Sequence, residues 1–513
     1  MRYSYPIVYD IDLREIVPGN AELLEYHQND SLLIYELMIN EQAVWNNGDL
    51  ITCEDFETSV KLLKIPLIDN FNLRVNRQWI LSVSCSSENP QYVEITVNGS
   101  FLNLKYHLGS FPILPKYLYD PDGLLDEISF DDLLYNEEQI KHNPQLIKYS
   151  EFFDSEQLKR NVKLISAGYR ITANNPGQYI RYEKEDEWWG FNSGVGHLAS
   201  KPHALEYIVI NDDATALIAL KNNAIDVLAG IAPSSFNDLK SNDIDTDNYH
   251  FVTPTLYRFG FLTMNSRLKK LSKPTRESVA SMVPYDRLIQ IGLFGYGNRT
   301  VGPINPIDSI YYNFDIELNH QDANSALEKL KEVGYRLVKD ELLDQNGNQL
   351  TLSISYPAGD TKYETIALIL QDALQNNGIK APLNPVDASL FTKKLKSHEY
   401  DLALRHFNGS PFSHNFSGIF STAAAAIGGL NYSGFGDETS DSVINAINIA
   451  KTEDSKISAL KEFQRLLHEE KTMLFLYFEQ DRIAINKRVT GVLESRFYPG
   501  YQLKELYIEN ANY

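Results

Sequence analysis

The stretch from about residue 325 to 406 constrains the fold most, because helical and strand-like periods alternate along it without a break. ANSALEKLKEVGY has helical spacing and QLTLSISY reads as a strand. KYETIALILQDALQNNG reads as a long helix closed by Gly378, followed by the strand APLNPV, the helix SLFTKKLKS and the strand YDLALRHF. Strands separated by helices predict parallel pairing in a sheet covered by helices. The order LEYIVI, a helix from Asp213 to Asn223, and then IDVLAG predicts a second parallel unit. The chain is therefore read as α/β with at least two sheets.

Nearer the N-terminus the period changes to two. In SLLIYELMINEQAVW the residues Leu33, Tyr35, Leu37 and Ile39 fall on one face, which predicts a half-buried strand. Asn46-Asn47-Gly48-Asp49 follows as a turn, and Thr52, three residues ahead of Asp55, is placed to cap a helix. WILSVSC and YVEITVNGSFLNLKY predict two further strands, the second with Val93, Ile95 and Val97 on one face. FPILPKYLYDP carries Pro112, Pro115 and Pro121 and is expected to be extended or irregular. Residues 160 to 182 predict paired strands joined at Asn174-Asn175-Pro176-Gly177, and a helix from about Asp454 to Glu470 precedes the apolar strand MLFLYFE.

At 513 residues the chain exceeds what one hydrophobic core supports, so two or three packed units are expected. The net charge of -21 argues against a nucleic-acid partner, because phosphate binding needs a basic surface whose counterion release drives association. Cys53 and Cys85 are the only cysteines, too few for a disulfide framework or a cysteine zinc site, and two buried thiols are expected in place of a bridge. No run reaches the roughly eighteen apolar residues of a membrane-spanning helix. MRYSYPIVYDIDLRE lacks the order of a signal peptide, so the expectation is either a cytoplasmic chain or a processed or shortened form.

The motifs of catalysis are missing. There is no G-x-x-x-x-G-K-S/T loop, no H-E-x-x-H, no C-x-x-C and no G-x-S-x-G elbow. GLFGYGN at 292 to 298 follows a helix-like segment and reads as a structural turn, not a phosphate loop. His406 and His414, eight residues apart, have no recognised metal-ligand spacing, and Trp188-Trp189 read as packing residues. No catalytic residue, metal or cofactor is assigned, and the chain is not expected to be an enzyme.

Several blocks, in order, resemble the family 5 bacterial extracellular solute-binding proteins, which include periplasmic oligopeptide-, dipeptide- and nickel-binding proteins. Pro18-Gly19-Asn20-Ala21-Glu22 and YELMINEQAVWNNGDLITCEDF, with Trp45, Gly48, Thr52 and Asp55 in place, form the strongest match. Ile113-Leu114-Pro115-Lys116, Ala167-Gly168-Tyr169-Arg170-Ile171, and the helix end from Ala219 to Asp226 are similar to further family blocks. In the last, Asn223 stands where the family has glycine, and asparagine tolerates the left-handed backbone needed there. Met264-Asn265-Ser266, Arg276 to Arg287, Gly302-Pro303-Ile304, Ala326 to Tyr335, and Asn431 to Phe435 with Asp441 complete the series.

The resemblance implies a type II periplasmic-binding-protein fold, two α/β lobes joined by a hinge with an extra subdomain and a ligand cleft between the lobes. Lobe I is expected from residues 1–30, 161–262 and 475–513, the subdomain from 31–160, and lobe II from 263–474. The family carries a first strand and helix ahead of the point aligned with Tyr5, so lobe I is expected to be incomplete at its N-terminal end. The implied role is the solute-binding component of an ABC importer, binding a peptide or peptide-like solute and delivering it to membrane permease subunits. That places it in the periplasm or at the outer face of the cytoplasmic membrane, as a monomer and a lipoprotein. An extracytoplasmic sensor of the same fold, or a binder of a metal chelate or oligosaccharide, is the alternative.

Peptide-binding members carry an aspartate that pairs with the ligand's ammonium, and Ser410 stands at that place here, with Phe407 in place of a tryptophan. A neutral serine cannot balance a buried ammonium. The candidate ligand-binding residues are Tyr257, Arg258, His406, Phe407, Asn408, Ser410, Phe412 and His414, with Arg258 the candidate for an anionic group. Lys362 falls near a position that can face a ligand carboxylate but is read as a solvated surface charge.

Overall fold

A computed structural model describes residues 3–10, 15–29, 32–68, 74, 79–98, 102, 104–155, 158, 166–196, 198–242, 247–409, 414–426 and 428–509. Contacts divide the chain into two compact units, Met1–Ile210 and Asn211–Tyr513.

The first unit is built on the two-residue period. Strands β1 (Ala21–Asn29), β2 (Leu32–Ile39), β3 (Ile80–Cys85) and β4 (Tyr92–Asn98) form an antiparallel sheet in the order β1-β2-β4-β3. The expected inward residues Leu33, Tyr35, Leu37, Ile39, Val93, Ile95 and Val97 are all buried, and helix α1 (Cys53–Lys64) lays Phe56 and Val60 against them. Thr52 begins that helix as expected. Its backbone N–H donates to Asp55 Oδ2 at 3.0 Å, and Asp55 also accepts from Trp45 Nε1 and from the backbone of Lys116. Strands β5 (Tyr169–Asn175) and β6 (Tyr179–Lys184) make the expected hairpin, with Gly177 at φ +78°, and β7 (Ala204–Ile208) extends it. Trp188 and Trp189 pack inward beside the core of this unit.

Three expectations fail here. Cys53 and Cys85 form a disulfide, not two thiols, with Cα atoms 5.6 Å apart. Cys53 donates its backbone N–H to Pro90 at 2.7 Å, which holds the start of α1 against the β3–β4 turn and so brings together residues 32 apart in sequence. The proline-rich segment is not wholly extended: Lys116–Tyr119 forms one helical turn after Pro115, a position where a missing N–H costs nothing. Strand β7 belongs to the β5-β6-β7 sheet, so the segments around 205 and 228 do not form a parallel unit.

Among the described residues the second unit holds two larger sheets and two two-stranded ones. Helix α2 (Asp213–Lys221) ends at Asn223, which takes the left-handed backbone expected of it, φ 57°. Strands β8 (Val227–Leu228) and β9 (Tyr249–Val252) flank a late strand in a small antiparallel sheet. Strand β10 (Thr255–Met264) enters a six-stranded mixed sheet whose far edge is β11 (Gly297–Asn298), so GLFGYGN is indeed a turn that feeds a sheet edge. Helix α3 (Ala323–Glu332) precedes the alternation read from the sequence: β12 (Ile354–Pro357), α4 (Thr361–Gln375), β13 (Leu383–Val386), α5 (Ala388–Lys396) and β14 (Leu402–Asn408). Strands β13, β12 and β14 pair in parallel, as helix-separated strands must. Gly378 at φ +84° ends α4, where an added Cβ would stand 2.8 Å from Leu337 Cδ1.

Helix α6 (Glu453–Glu470) leads into β15 (Met473–Gln480), which is buried on both faces, and β16 (Ile483–Asn486) follows after two residues. The six-stranded sheet runs β11-β15-β10-β14-β12-β13, and the smaller one β8-β16-β9. Two strand pairs therefore pass from one sheet to the other side by side, β9 into β10 through Thr253-Pro254 and β15 into β16 through Asp481-Arg482. Asp481 donates its N–H to the Pro254 carbonyl at 2.9 Å, which ties the two crossings together. Gly260 on β10 gives the Tyr477 ring its place, since a Cβ there would lie 2.3 Å from Tyr477 Cζ.

Two outcomes follow from this packing. The Cys53→Ser, Cys85→Ser double variant should lose about 3–4 kcal/mol in urea unfolding, the loop-closure value for this separation, and an unchanged midpoint would refute a formed bridge. His414 is buried against the Tyr311 ring at 4.8 Å, and burial followed by the nearby Lys456 pushes its imidazole down to about 3. The folded state then holds His414 neutral while the unfolded chain takes up a proton, so stability falls as pH drops from about 6.5 toward 3. His414→Phe should flatten that fall in thermal melts, and an unaltered slope would count against the account.

Candidate functional site

Strands β10 and β14 pair so that Arg258 lies opposite Asn408 and Gly260 opposite His406. Alternation puts Arg258, His406 and Asn408 on one face of the sheet. Arg258 Nε donates to Asn408 Oδ1 at 3.0 Å. The start of α4 reaches the same face: Asp360 caps the helix by accepting from the backbones of Lys362 and Tyr363, which aims both side chains. Tyr363 Oη lies 2.6 Å from His406 Nδ1, with the two rings nearly parallel.

Glu479, near the end of β15, is 2% exposed and gathers these groups. Lys362 Nζ lies 3.2 Å from each of its carboxylate oxygens, Arg482 NH2 3.4 Å from Oε1, and Arg258 NH1 3.9 Å from Oε2. Burial alone would raise the Glu479 carboxyl, but Lys362, Arg482 and Arg258 overcome it and hold the group at about 2. Arg482 is fixed at the crossing by donating Nε to the Ile231 carbonyl at 2.6 Å and NH1 to the Gln480 carbonyl at 2.8 Å. Burial, then the Lys362 and Arg258 charges, push His406 down to about 4, so its imidazole is neutral at pH 7.

Of the residues expected at the site, the structure brings together Arg258, His406 and Asn408. Tyr257 lies beside them on β10. It donates its hydroxyl to Asp308 Oδ1 at 2.9 Å and packs its ring 5.3 Å from Phe497, and burial followed by Asp308 raises its phenol. Phe407 points to the opposite face and stacks on Phe261 at 4.9 Å and Tyr432 at 5.6 Å, within the hydrophobic core. His414 packs into that core as well, against Tyr311 and Phe416. Ser410 and Phe412 lie outside the described residues. Lys362 is no solvated surface charge: its side chain is 15% exposed and its ammonium is bound to Glu479.

Sequence reasoning passed over Tyr363, Glu479, Arg482 and Tyr498, whose ring lies 5.6 Å from the Arg258 guanidinium. A carboxylate closing the apolar run MLFLYFE was the available signal, since a charge on a strand buried on both faces requires partners. Among the described residues no cluster of three or more His, Cys, Asp or Glu side chains could hold a metal ion. The arrangement can offer charge and hydrogen bonds to a bound solute from a rigid sheet.

The family model described as bacterial extracellular solute-binding proteins, family 5 Middle, matches residues 15–426. The peptidoglycan-binding protein YepA of Agrobacterium fabrum is 22% identical over 510 aligned residues, covering 89% of this chain and 76% of that protein. The oligopeptide-binding protein AppA of Bacillus subtilis is 20% identical, covering 90% and 78%. Its structure with a nonapeptide matches at a TM-score of 0.78 over 99% of this chain and 93% of that one. NikZ from Campylobacter jejuni, solved in complex with Ni(L-His), matches at 0.77 with 20% identity over 96% and 90%. The fold is thus the type II periplasmic-binding fold expected from the sequence. With the family model spanning well over half its length, this chain belongs to the family 5 bacterial extracellular solute-binding proteins.

Proposed function

We propose that this chain is the solute-binding component of an ABC importer, holding a peptide or peptide-like solute and presenting it to permease subunits. The family match carries the reading, and the polar face around Arg258, His406 and Asn408 supplies an anchor. AppA, to which the chain is similar, is an oligopeptide-binding protein, which supports a peptide. The likeness to NikZ with Ni(L-His) favours a second reading, in which the solute is a metal chelate.

The adjacent crossings at Thr253-Pro254 and Asp481-Arg482 are the proposed hinge, because each is only two residues long and the two lie side by side between the sheets. Lobe I would then comprise 1–30, 161–262 and 475–513, lobe II 263–474, and the subdomain 31–160. The protein acts as a monomer, without catalysis and without nucleic acid. It works in the periplasm or at the outer face of the cytoplasmic membrane. The Cys53–Cys85 bridge supports that setting, since disulfides persist where the medium is oxidising. Among the described residues no helix is long and apolar enough to cross a membrane.

Ligand bound only by the folded state raises stability by mass action, so a thermal-shift screen of peptide pools and Ni(II)-histidine should yield stabilised melts. No shift from either class, together with turnover of any tested compound, would sink the reading. Glu479→Ala should cost about 3–5 kcal/mol, as expected on breaking a buried ion pair, against about 0.5 kcal/mol for Arg465→Ala in an exposed pair on α6. Chemical denaturation of the two variants measures the difference.

A further inference from the structure

The face built by Arg258 is not balanced in charge. Arg258, Lys362 and Arg482 meet Glu479 and Asp481, so three cations share two carboxylates, and the next charges out, Arg405 and Asp360, offset each other. Lys362 and Arg482 spend their donors on Glu479 and on backbone carbonyls. Arg258 does not. A guanidinium has five N–H donors. Among the described residues, Nε reaches Asn408 and NH1 stands 3.9 Å from Glu479, beyond hydrogen-bond distance.

The group is nevertheless held firmly. Its side chain is 16% exposed, pinned at Nε, and its planar head lies 5.6 Å from the ring of Tyr498, itself 71% exposed. A cation so oriented, with its terminal nitrogens open and an exposed aromatic ring beside them, matches the two-oxygen geometry of a carboxylate. An ammonium would meet only the surplus positive charge, because Glu479 is enclosed by its own cations.

We propose that Arg258, set beside Tyr498 and steadied by Asn408, receives a carboxylate of the solute. The chain would thus take carboxylate-ended peptides or peptide-like acids and leave the solute's amino end without a charge partner at this site. The proposal rests on the solute-binding reading above and names the class of solute. The same chemistry could come from a peptide C-terminus or from a small polycarboxylate.

Titration calorimetry on the full chain separates these. The probes are random-sequence tripeptide to pentapeptide pools as free acids, as C-terminal amides and as N-acetyl acids, with citrate alone and with nickel(II) as the polycarboxylate arm. Free acids should bind about 10- to 100-fold more tightly than amides, the range for a lost charge-assisted pair, while N-acetylation changes affinity less than about threefold. Arg258→Gln should bring acids down to the affinity of amides. Tyr498→Ala, at an exposed position, should weaken acids with the melting temperature unchanged. Citrate binding that is lost in Arg258→Gln would also support the carboxylate site and assign it to polycarboxylates. Equal affinity of acids and amides, or loss of binding on N-acetylation, would overturn the carboxylate assignment while leaving solute binding intact. No binding in any arm would overturn both.

Discussion

The enclosure of the Glu479 carboxylate is the constraint on which the rest of the second unit turns. A lone carboxylate at that depth would be driven to its neutral acid by desolvation. Three cations from different parts of the chain reverse this: Lys362 from the start of α4, Arg258 from β10 and Arg482 from the link between sheets. Removing Glu479 would leave these buried cations without their shared partner, so the cluster fixes how helix, strand and link approach one another.

That enclosure stands at the place where the chain crosses between two sheets twice. Asp481 joins the crossings by bonding to the Pro254 carbonyl and accepting the Gly230 N–H at 3.1 Å. The buried strand β15 and its neighbour β10 in the six-stranded sheet carry the polar face, so the proposed donors are held by the sheet itself. Preorganisation of this kind would lower the ordering cost of binding the proposed solute.

Much of this architecture was legible in the residue order. The inward faces of β2 and β4, the cap at Thr52, the left-handed Asn223 and the parallel strands β12 to β14 follow from period, turn chemistry and helix-ending residues. The parallel unit expected near 205 to 228 failed because periodicity identifies elements and not the sheet each one joins. Arg258, His406 and Asn408, named as candidates from the resemblance, prove to share one face of the paired strands β10 and β14. Phe407, one residue out of step, turned to the core with Phe261 and Tyr432.

The sequence by itself determined which segments are helix or strand, and through its ordered blocks the family to which they belong, because local spacing reports which face of each element is buried. Only the tertiary structure decided that Cys53 meets Cys85, that Lys362 is an interior cation, and that Glu479 lies among three positive charges. Apart from Arg482, three residues from Glu479, those are meetings of residues tens to hundreds of positions apart. Their energies depend on burial and distance, quantities that exist only once the chain has closed on itself.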